Sequence, residues 1–359
     1  MEDHFDVARI MSPSDALAVV RDTFELGSSD DSSSWPVLVV ALEQGAELAT
    51  LNEIAPSLPC VLVGISDRQG DDVPEGFDVL LSTLPKVSSP WVQCSDVSTT
   101  AAELIDRILR SPLAAVSLVQ ILRLGSSLSV FDAVVAESFV YSMLQSGPTY
   151  RDWLASRQMT ASGDQDPNLE PDPILVSRKG SHMEIELNRP RVRNALNAAM
   201  RDALLAALQI VLLDPSIRTV KLTGRGPAFC SGGDLTEFGL ADDPATAHRV
   251  RIRHSIGALL SRCADRVEVH LHGSCVGAGI EIPAFSRRVV AAPDAAFSLP
   301  EVGFGLIPGA GGTASIPRRI GRQRTAFLAI SGTSVTATTA QAWGLVDEVV
   351  ERPDDLGPG

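Results

Sequence analysis

Two glutamates in the stretch from Val267 to Gly312 (VEVHLHGSCVGAGIEIPAFSRRVVAAPDAAFSLPEVGFGLIPGAGG) have the type and setting for proton chemistry. Glu281 closes GSCVGAGIE and Glu301 follows FSLP, each after a strand-like segment in an otherwise apolar run. Acidic side chains are rarely buried without a partner or a shifted pKa. Two carboxylates facing one pocket can act as general acid and general base on one substrate. Burial must then raise at least one pKa towards neutrality. The competing reading is structural: a Glu in the first turn of a helix is stabilised by the helix dipole.

Three glycine-rich turns surround these residues: GRGPAFCSGGD (224–234), GSCVGAGIE (273–281) and PGAGGT (308–313). The first two follow strand-like runs, and the second and third can open helices. Helix N-termini offer unpaired N–H donors, and two donors converging on one point stabilise a developing oxyanion. None of the turns fits G-x-x-x-x-G-K-[ST] or G-x-G-x-x-G, which argues against a nucleotide-phosphate loop. Asp234 reads as orienting its loop. His272 reads as a packed residue before a turn, and Cys230 as small-residue packing beside the loop.

These side chains need strands and helices to place them. Ile174–Ser177, Met183–Leu187, Thr219–Thr223 and Val267–Leu271 are strand-like, and Asn197 can cap a helix to Leu213 with Met200, Leu204, Leu208 and Val211 on one face. Ala245–Cys263 has a helical, arginine-studded pattern. Upstream, Pro36–Leu42, Cys60–Ser66 and Phe77–Ser82 are apolar strand-like runs with a helical pattern over Gly45–Ala55 between the first two, an arrangement of buried parallel strands. A helix is expected at Pro13–Glu25 and a polar loop at GSSDDSSSW; Asp67, Asp71 and Asp72 read as solvated turn residues. Four short helices follow, opened by Thr100-x-x-Glu103, Ser111-Pro112, Ser129-x-x-Asp132 and Thr149-x-x-Asp152. The Asp-, Pro- and Gly-rich segment 160–173 reads as a linker.

The chain has 359 residues, ample for a sizeable core, and a formal charge of −14. Residues 1–173 hold 9 Lys and Arg against 26 Asp and Glu, and the remainder holds 21 against 18. The acidic half is a poor phosphate binder; the arginine-rich half suits a small polyanionic ligand, and nothing points to nucleic acid. The 5 cysteines are scattered without metal spacing and read as reduced cytosolic thiols. The acidic N-terminus lacks the apolar stretch of a signal peptide, and no apolar run approaches the roughly 20 residues of a membrane span, so a cytoplasmic protein is expected.

In order and together, LNRPRVRNALN (187–197), LTGRGPAFCSGGDL (222–235), HGSCVGAGIEI (272–282), FSLPEVGFGLIPGAGGT (297–313) and WGLVDEVV (343–350) resemble the enoyl-CoA hydratase/isomerase (crotonase) superfamily. The resemblance spans Ile174 to about Val350. It implies an α/β fold with a crotonase-like ββα spiral core, preceded by a degenerate α/β unit and a helical module. It implies that the backbone N–H groups of Ser231 and Ala278 bind the thioester oxygen of an acyl-CoA, and that Glu281 and Glu301 are the catalytic carboxylates. It further implies substrate contacts at Arg193, Ala195, Arg225, Phe229, Gly232, Asp234, Gly277, Pro308 and Gly309, with the two arginines near the CoA phosphates. No metal and no bound cofactor is implied; coenzyme A arrives as part of the substrate. A homo-oligomer, trimer or hexamer, is the expected assembly.

The chain departs from the family in one respect. Family members continue into C-terminal helices that cover the acyl-CoA, whereas only ERPDDLGPG follows Val350. The earlier helices resemble that missing region. The expected organisation is a degenerate crotonase-like unit (1–98), a helical module (99–158), a linker (159–173) and a core with the site (174–359). The module would serve the core within one chain or between chains. The chemistry expected first is hydration of a 2-enoyl-CoA. Enoyl isomerisation, thioester hydrolysis and a non-catalytic CoA- or partner-binding subunit are the alternatives.

Overall fold

Four apolar runs build a small parallel sheet in the first half of this computed structural model, which describes residues 10–22, 35–43, 45–67, 73–158, 172–241 and 243–351. Strands β1 (Val37–Ala41), β2 (Val61–Ile65), β3 (Val79–Ser82) and β4 (Val92–Gln93) pair in that order. Their side chains alternate between two cores, as the strand period requires. Val37, Val39, Val61, Val63, Val79 and Leu81 face a large core. Leu38, Val40, Leu62 and Leu80 face a smaller one with Leu17 of helix Pro13–Val20 and Leu51 of helix Ala46–Ile54. Burial on both faces is why these runs read as continuously apolar. Strand β4, 2 residues long, is too short to carry a readable period. The expected linker and polar loop lie almost wholly outside the described residues, as do Asp71 and Asp72.

The four expected helices form, with shifted starts. The first spans Val97–Arg110, capped by Asp96, whose carboxylate accepts Thr99 N–H at 2.6 Å. Thr100 is not its cap, because its hydroxyl donates to the Asp96 carbonyl from inside the first turn. The second, Pro112–Gly125, has its proline at the first position but no side-chain bond from Ser111. Ser129 does cap Val130–Gln145, accepting Asp132 N–H at 3.2 Å. The fourth starts at Pro148, which puts Thr149 inside it. Among the described residues no single helix is long and apolar enough to cross a membrane.

The second half builds two sheets from one repeated move. Strands β5 (Ile174–Lys179), β6 (His182–Leu187), β7 (Thr219–Gly224), β8 (Val267–Leu271), β10 (Arg288–Ala291) and β13 (Glu348–Val349) form a sheet of order β13-β10-β8-β7-β6-β5. Strands β9 (Ser274–Val276), β11 (Ala296–Ser298) and β12 (Val335–Thr336) form a second, of order β12-β11-β9. The chain leaves β8 at a sharp turn and enters β9; it leaves β10 and enters β11. Strands β9 and β11 are parallel neighbours, with Val276 beside Ser298. Glu281 and Glu301 follow the same ends of these two strands, so strand pairing itself brings the glutamates together. Asn197 caps helix Ala198–Leu213 as expected, whereas the expected single helix 245–263 breaks into Pro244–Arg253 and Ile256–Ser261.

The module, the N-terminal sheet and the second half share the large core. A buried ion network pins them together. Asp78, fully buried, accepts from Arg123 Nε at 2.9 Å and from Arg322 Nη1 at 3.1 Å, while Arg123 also donates to the Leu58 and Cys60 carbonyls. Arg123 comes from helix Pro112–Gly125 and Arg322 from helix Arg322–Ser331. Removing one partner of such a network leaves charge buried without compensation, at a cost of about 3–5 kcal/mol. Asp78→Ala is therefore expected to lower the urea unfolding free energy by about that amount. An unchanged midpoint would show that the network holds nothing together. A 174–359 fragment should expose the core face that the module covers, bind a hydrophobic dye and lose its near-UV circular dichroism. A fragment that unfolds cooperatively without binding dye would contradict this account.

Candidate active site

Glu281 ends the short helix Ala278–Glu281 and is 2% exposed. Its Oε2 accepts Ala310 N–H at 2.7 Å and Gly312 N–H at 2.8 Å. Burial pushes its pKa well above the ordinary carboxylate range, and the charges of Glu301 and Glu137 push it further; the two N–H donors oppose this without prevailing. Glu301 opens the turn Glu301–Phe304 after Pro300. The residue as a whole is half-buried, yet its Oε2 is out of solvent and has no hydrogen-bond partner among the described residues. Burial, reinforced by the Glu137 charge, pushes Glu301 up to about 8.

The two carboxylates converge beside Gly277. A Cβ added there would stand 2.3 Å from Glu301 Oε1 and 3.6 Å from Glu281 Oε1, and Gly277 has φ +50. Only glycine suits that backbone and that space. Buried carboxylate oxygens normally have donors, so an orphaned one needs a reason. Here the arrangement suits a carboxyl that keeps or passes a proton.

The two predicted oxyanion donors sit on adjoining loops but differ in state. Val276 N–H donates to the Cys230 carbonyl at 3.0 Å, which ties the loop around Ser231 to the strand that leads into Ala278. Ala278 is the first residue of its helix, and among the described residues its N–H meets no acceptor. Ser231 N–H donates instead to the Arg193 carbonyl at 3.0 Å. That carbonyl belongs to a left-handed pair, Arg193 (φ 53) and Asn194 (φ 54). The buried Asn194 side chain holds the pair in place, accepting Arg189 N–H at 2.8 Å and donating to the Arg225 and Ala228 carbonyls, each at 2.9 Å.

The remaining predicted residues divide into lining and support. Gly277 lies against both glutamates, Pro308 beside Gly312, Gly309 against Tyr141, and Gly232 under the Val276 carbonyl. Arg193 and Arg225 are exposed; Arg225 reaches Asn188 Oδ1 at 3.4 Å. The Ala195 carbonyl accepts from Arg189. Asp234 is a loop organiser, bonded to Thr236 N–H and hydroxyl and to Arg189 at 3.1 Å. Phe229, 2% exposed, is part of the core. His272 is packed, with Nε2 on the Gly226 carbonyl at 2.9 Å. Burial pushes the Cys230 thiol up to about 11, away from reactivity. Among the described residues no group of three or more His, Cys, Asp or Glu is placed to hold a metal ion.

Sequence reasoning expected the module to serve the core but missed the residues it contributes. Glu137, 2% exposed on helix Val130–Gln145, bonds the backbone of the Gly311–Thr313 turn. Tyr141 of the same helix lies against Gly309, where an added Cβ would come within 2.4 Å of its ring, and Arg251 stacks on that ring at 4.6 Å. The signal was present: Glu137 is an acid inside the apolar run FDAVVAESFV, the same pattern that singled out Glu281 and Glu301. A larger cavity of ≈ 540 Å³ lies elsewhere, lined by Glu184, Glu186, Lys221 and His270 of the six-stranded sheet.

Known proteins resemble the second half of the chain. The sequence profile described as Enoyl-CoA hydratase/isomerase matches residues 177–357. The 2,3-dehydroadipyl-CoA hydratase of Escherichia coli is 37% identical over 183 residues, covering 51% of this chain and 70% of that protein. The 1,2-epoxyphenylacetyl-CoA isomerase of the same organism is 34% identical over 182 residues, covering 50% and 70%. A solved enoyl-CoA hydratase from Thermoplasma volcanium superposes with TM-score 0.47 at 32% identity, covering 50% of this chain and 73% of that one. The chain belongs to the enoyl-CoA hydratase/isomerase family.

Proposed function

We propose that the protein adds water across the double bond of a 2-enoyl-CoA. The observation that carries this reading is the meeting of two buried carboxylates at Gly277, one with an orphaned oxygen, beside the open N–H of Ala278. Coupled carboxylates with raised pKa values titrate as a pair, and the state that carries one proton between them is the one hydration needs. One member is then a base and the other an acid.

The ionised carboxylate takes a proton from water as the water oxygen bonds to the β-carbon. The alkene electrons move onto the thioester oxygen, and the enolate is stabilised by Ala278 N–H. Ser231 N–H joins it by leaving or sharing the Arg193 carbonyl. The protonated carboxyl then delivers its proton to the α-carbon. The pair gains one proton and loses one, so it ends in its starting charge state. The exposed Arg193 and Arg225 suit the phosphates of coenzyme A.

Turnover is followed by loss of the conjugated enoyl-thioester absorbance. Glu281→Gln and Glu301→Gln should each lower kcat by about 10²–10⁴-fold. Full activity in either variant would sink the assignment, and turnover of 3-enoyl but not 2-enoyl thioesters would move it to isomerisation.

The pKa shifts set two pH dependences. Activity should fall as pH rises through about 8, where Glu301 loses the shared proton. For stability, Glu301 has a folded pKa of about 8 against an ordinary 4.5, so the folded state binds the proton more tightly. That stabilisation is fully present below 4.5 and is lost as pH rises through about 8. The melting temperature should therefore drop across this window in the wild type and drop less in Glu301→Gln. Equal slopes would show that the carboxyl titrates normally.

A further inference from the structure

Helix Val130–Gln145 brings a third carboxylate to the site from the first half of the chain. Gly311 N–H donates to Glu137 Oε1 at 2.7 Å. Thr313 N–H and the Thr313 hydroxyl donate to Glu137 Oε2 at 2.8 and 2.7 Å. Glu281 takes the amides on either side of Gly311, those of Ala310 and Gly312. Four consecutive N–H groups thus point alternately to two carboxylates. The turn opens helix Gly312–Ser315, where the first amides have no intrahelical acceptor. Neither glutamate could satisfy all of them alone.

The surroundings leave Glu137 little else to do. It is 2% exposed and adjoins a cavity of ≈ 140 Å³. Arg251, from helix Pro244–Arg253, lowers its pKa through space, but the hydrogen bonds of that guanidinium go to Ser138, Ser142 and Gln145. Glu281 and Glu301 are the other ionisable groups that feel its charge. Burial pushes Glu137 up to about 7, and its charge in turn raises Glu281 and Glu301.

We propose that Glu137 is a positioning residue for Glu281: by holding the Gly311 and Thr313 amides it keeps the Ala310 and Gly312 amides aimed at the catalytic carboxylate. The consequence for turnover rests on the hydratase reading; the consequence for the backbone does not. The test uses the full chain with Glu137→Gln, which keeps the volume and removes one acceptor. Amide exchange at Ala310–Thr313 should rise by about 10-fold or more, with little change in the strands β1–β3. Hydration of a 2-enoyl-CoA should lose about 10- to 100-fold in kcat, with KM within about threefold. The alkaline limb of the pH profile should move to lower pH, since a negative charge near Glu301 is gone.

Unchanged exchange at Ala310 and Gly312 overturns the proposal, whatever the turnover. So does a uniform rise in exchange across the protein with the alkaline limb unmoved. If the wild type hydrates no 2-enoyl-CoA, the exchange result still decides this proposal and only the hydratase reading fails. Should Glu137→Gln not fold, Thr313→Val keeps the carboxylate and removes one donor. It should raise exchange at the same amides by a smaller factor, and no rise there overturns the proposal.

Discussion

The backbone from Ala310 to Thr313 is the constraint on which the site depends. Its amides cannot be left unpaired in a buried turn, and in this protein two carboxylates from opposite halves of the chain take them alternately. The turn therefore couples the position of Glu281 to a helix more than a hundred residues upstream. Glu281 is held by two donors while Glu301 keeps an oxygen without any. The asymmetry gives two like-charged groups in one pocket different environments, the condition under which a carboxylate pair divides into acid and base.

The same arrangement explains why the first half of the chain is acidic yet contributes to an anion-handling site. Among its described acids, Glu137 is the one that bonds the Gly311–Thr313 turn, and it is wrapped there by amides and a hydroxyl. Arg123, Asp78 and Arg322 hold the N-terminal sheet, the module and the core in register. Without that register, Glu137 and Tyr141 could not meet the Gly309–Thr313 turn. The module, the sheet and the core are one packed body in this sense, whatever the ancestry of each part.

Much of the site was legible because it lies in short, contiguous stretches. Glu281 and Glu301 betrayed themselves as acids in apolar runs, and the glycine-rich turns marked where the backbone had to bend sharply. Strands β1 to β3 were legible for the same reason, as apolar runs buried on both faces, and β6 to β8 as alternating runs with one face buried. Helix starts were less so. Thr100 and Asp96 both have capping chemistry, and only the backbone decides which of them stands outside the helix. Phe229 stands inside a site motif and is at the same time a core residue.

By itself the sequence determined the residue types and the local turns: where a carboxylate sits after a strand, where glycine is required, and which stretches resemble a family. These are properties of neighbours along the chain. The tertiary structure decided what depends on distant segments. Pairing of β9 with β11 put the two glutamates at one point. The Arg193 carbonyl, held in the left-handed region by Asn194, took the Ser231 amide. Packing of helix Val130–Gln145 on the Gly311–Thr313 turn added Glu137. Burial and proximity, which set all of these pKa shifts, arise only when segments far apart in sequence close around each other.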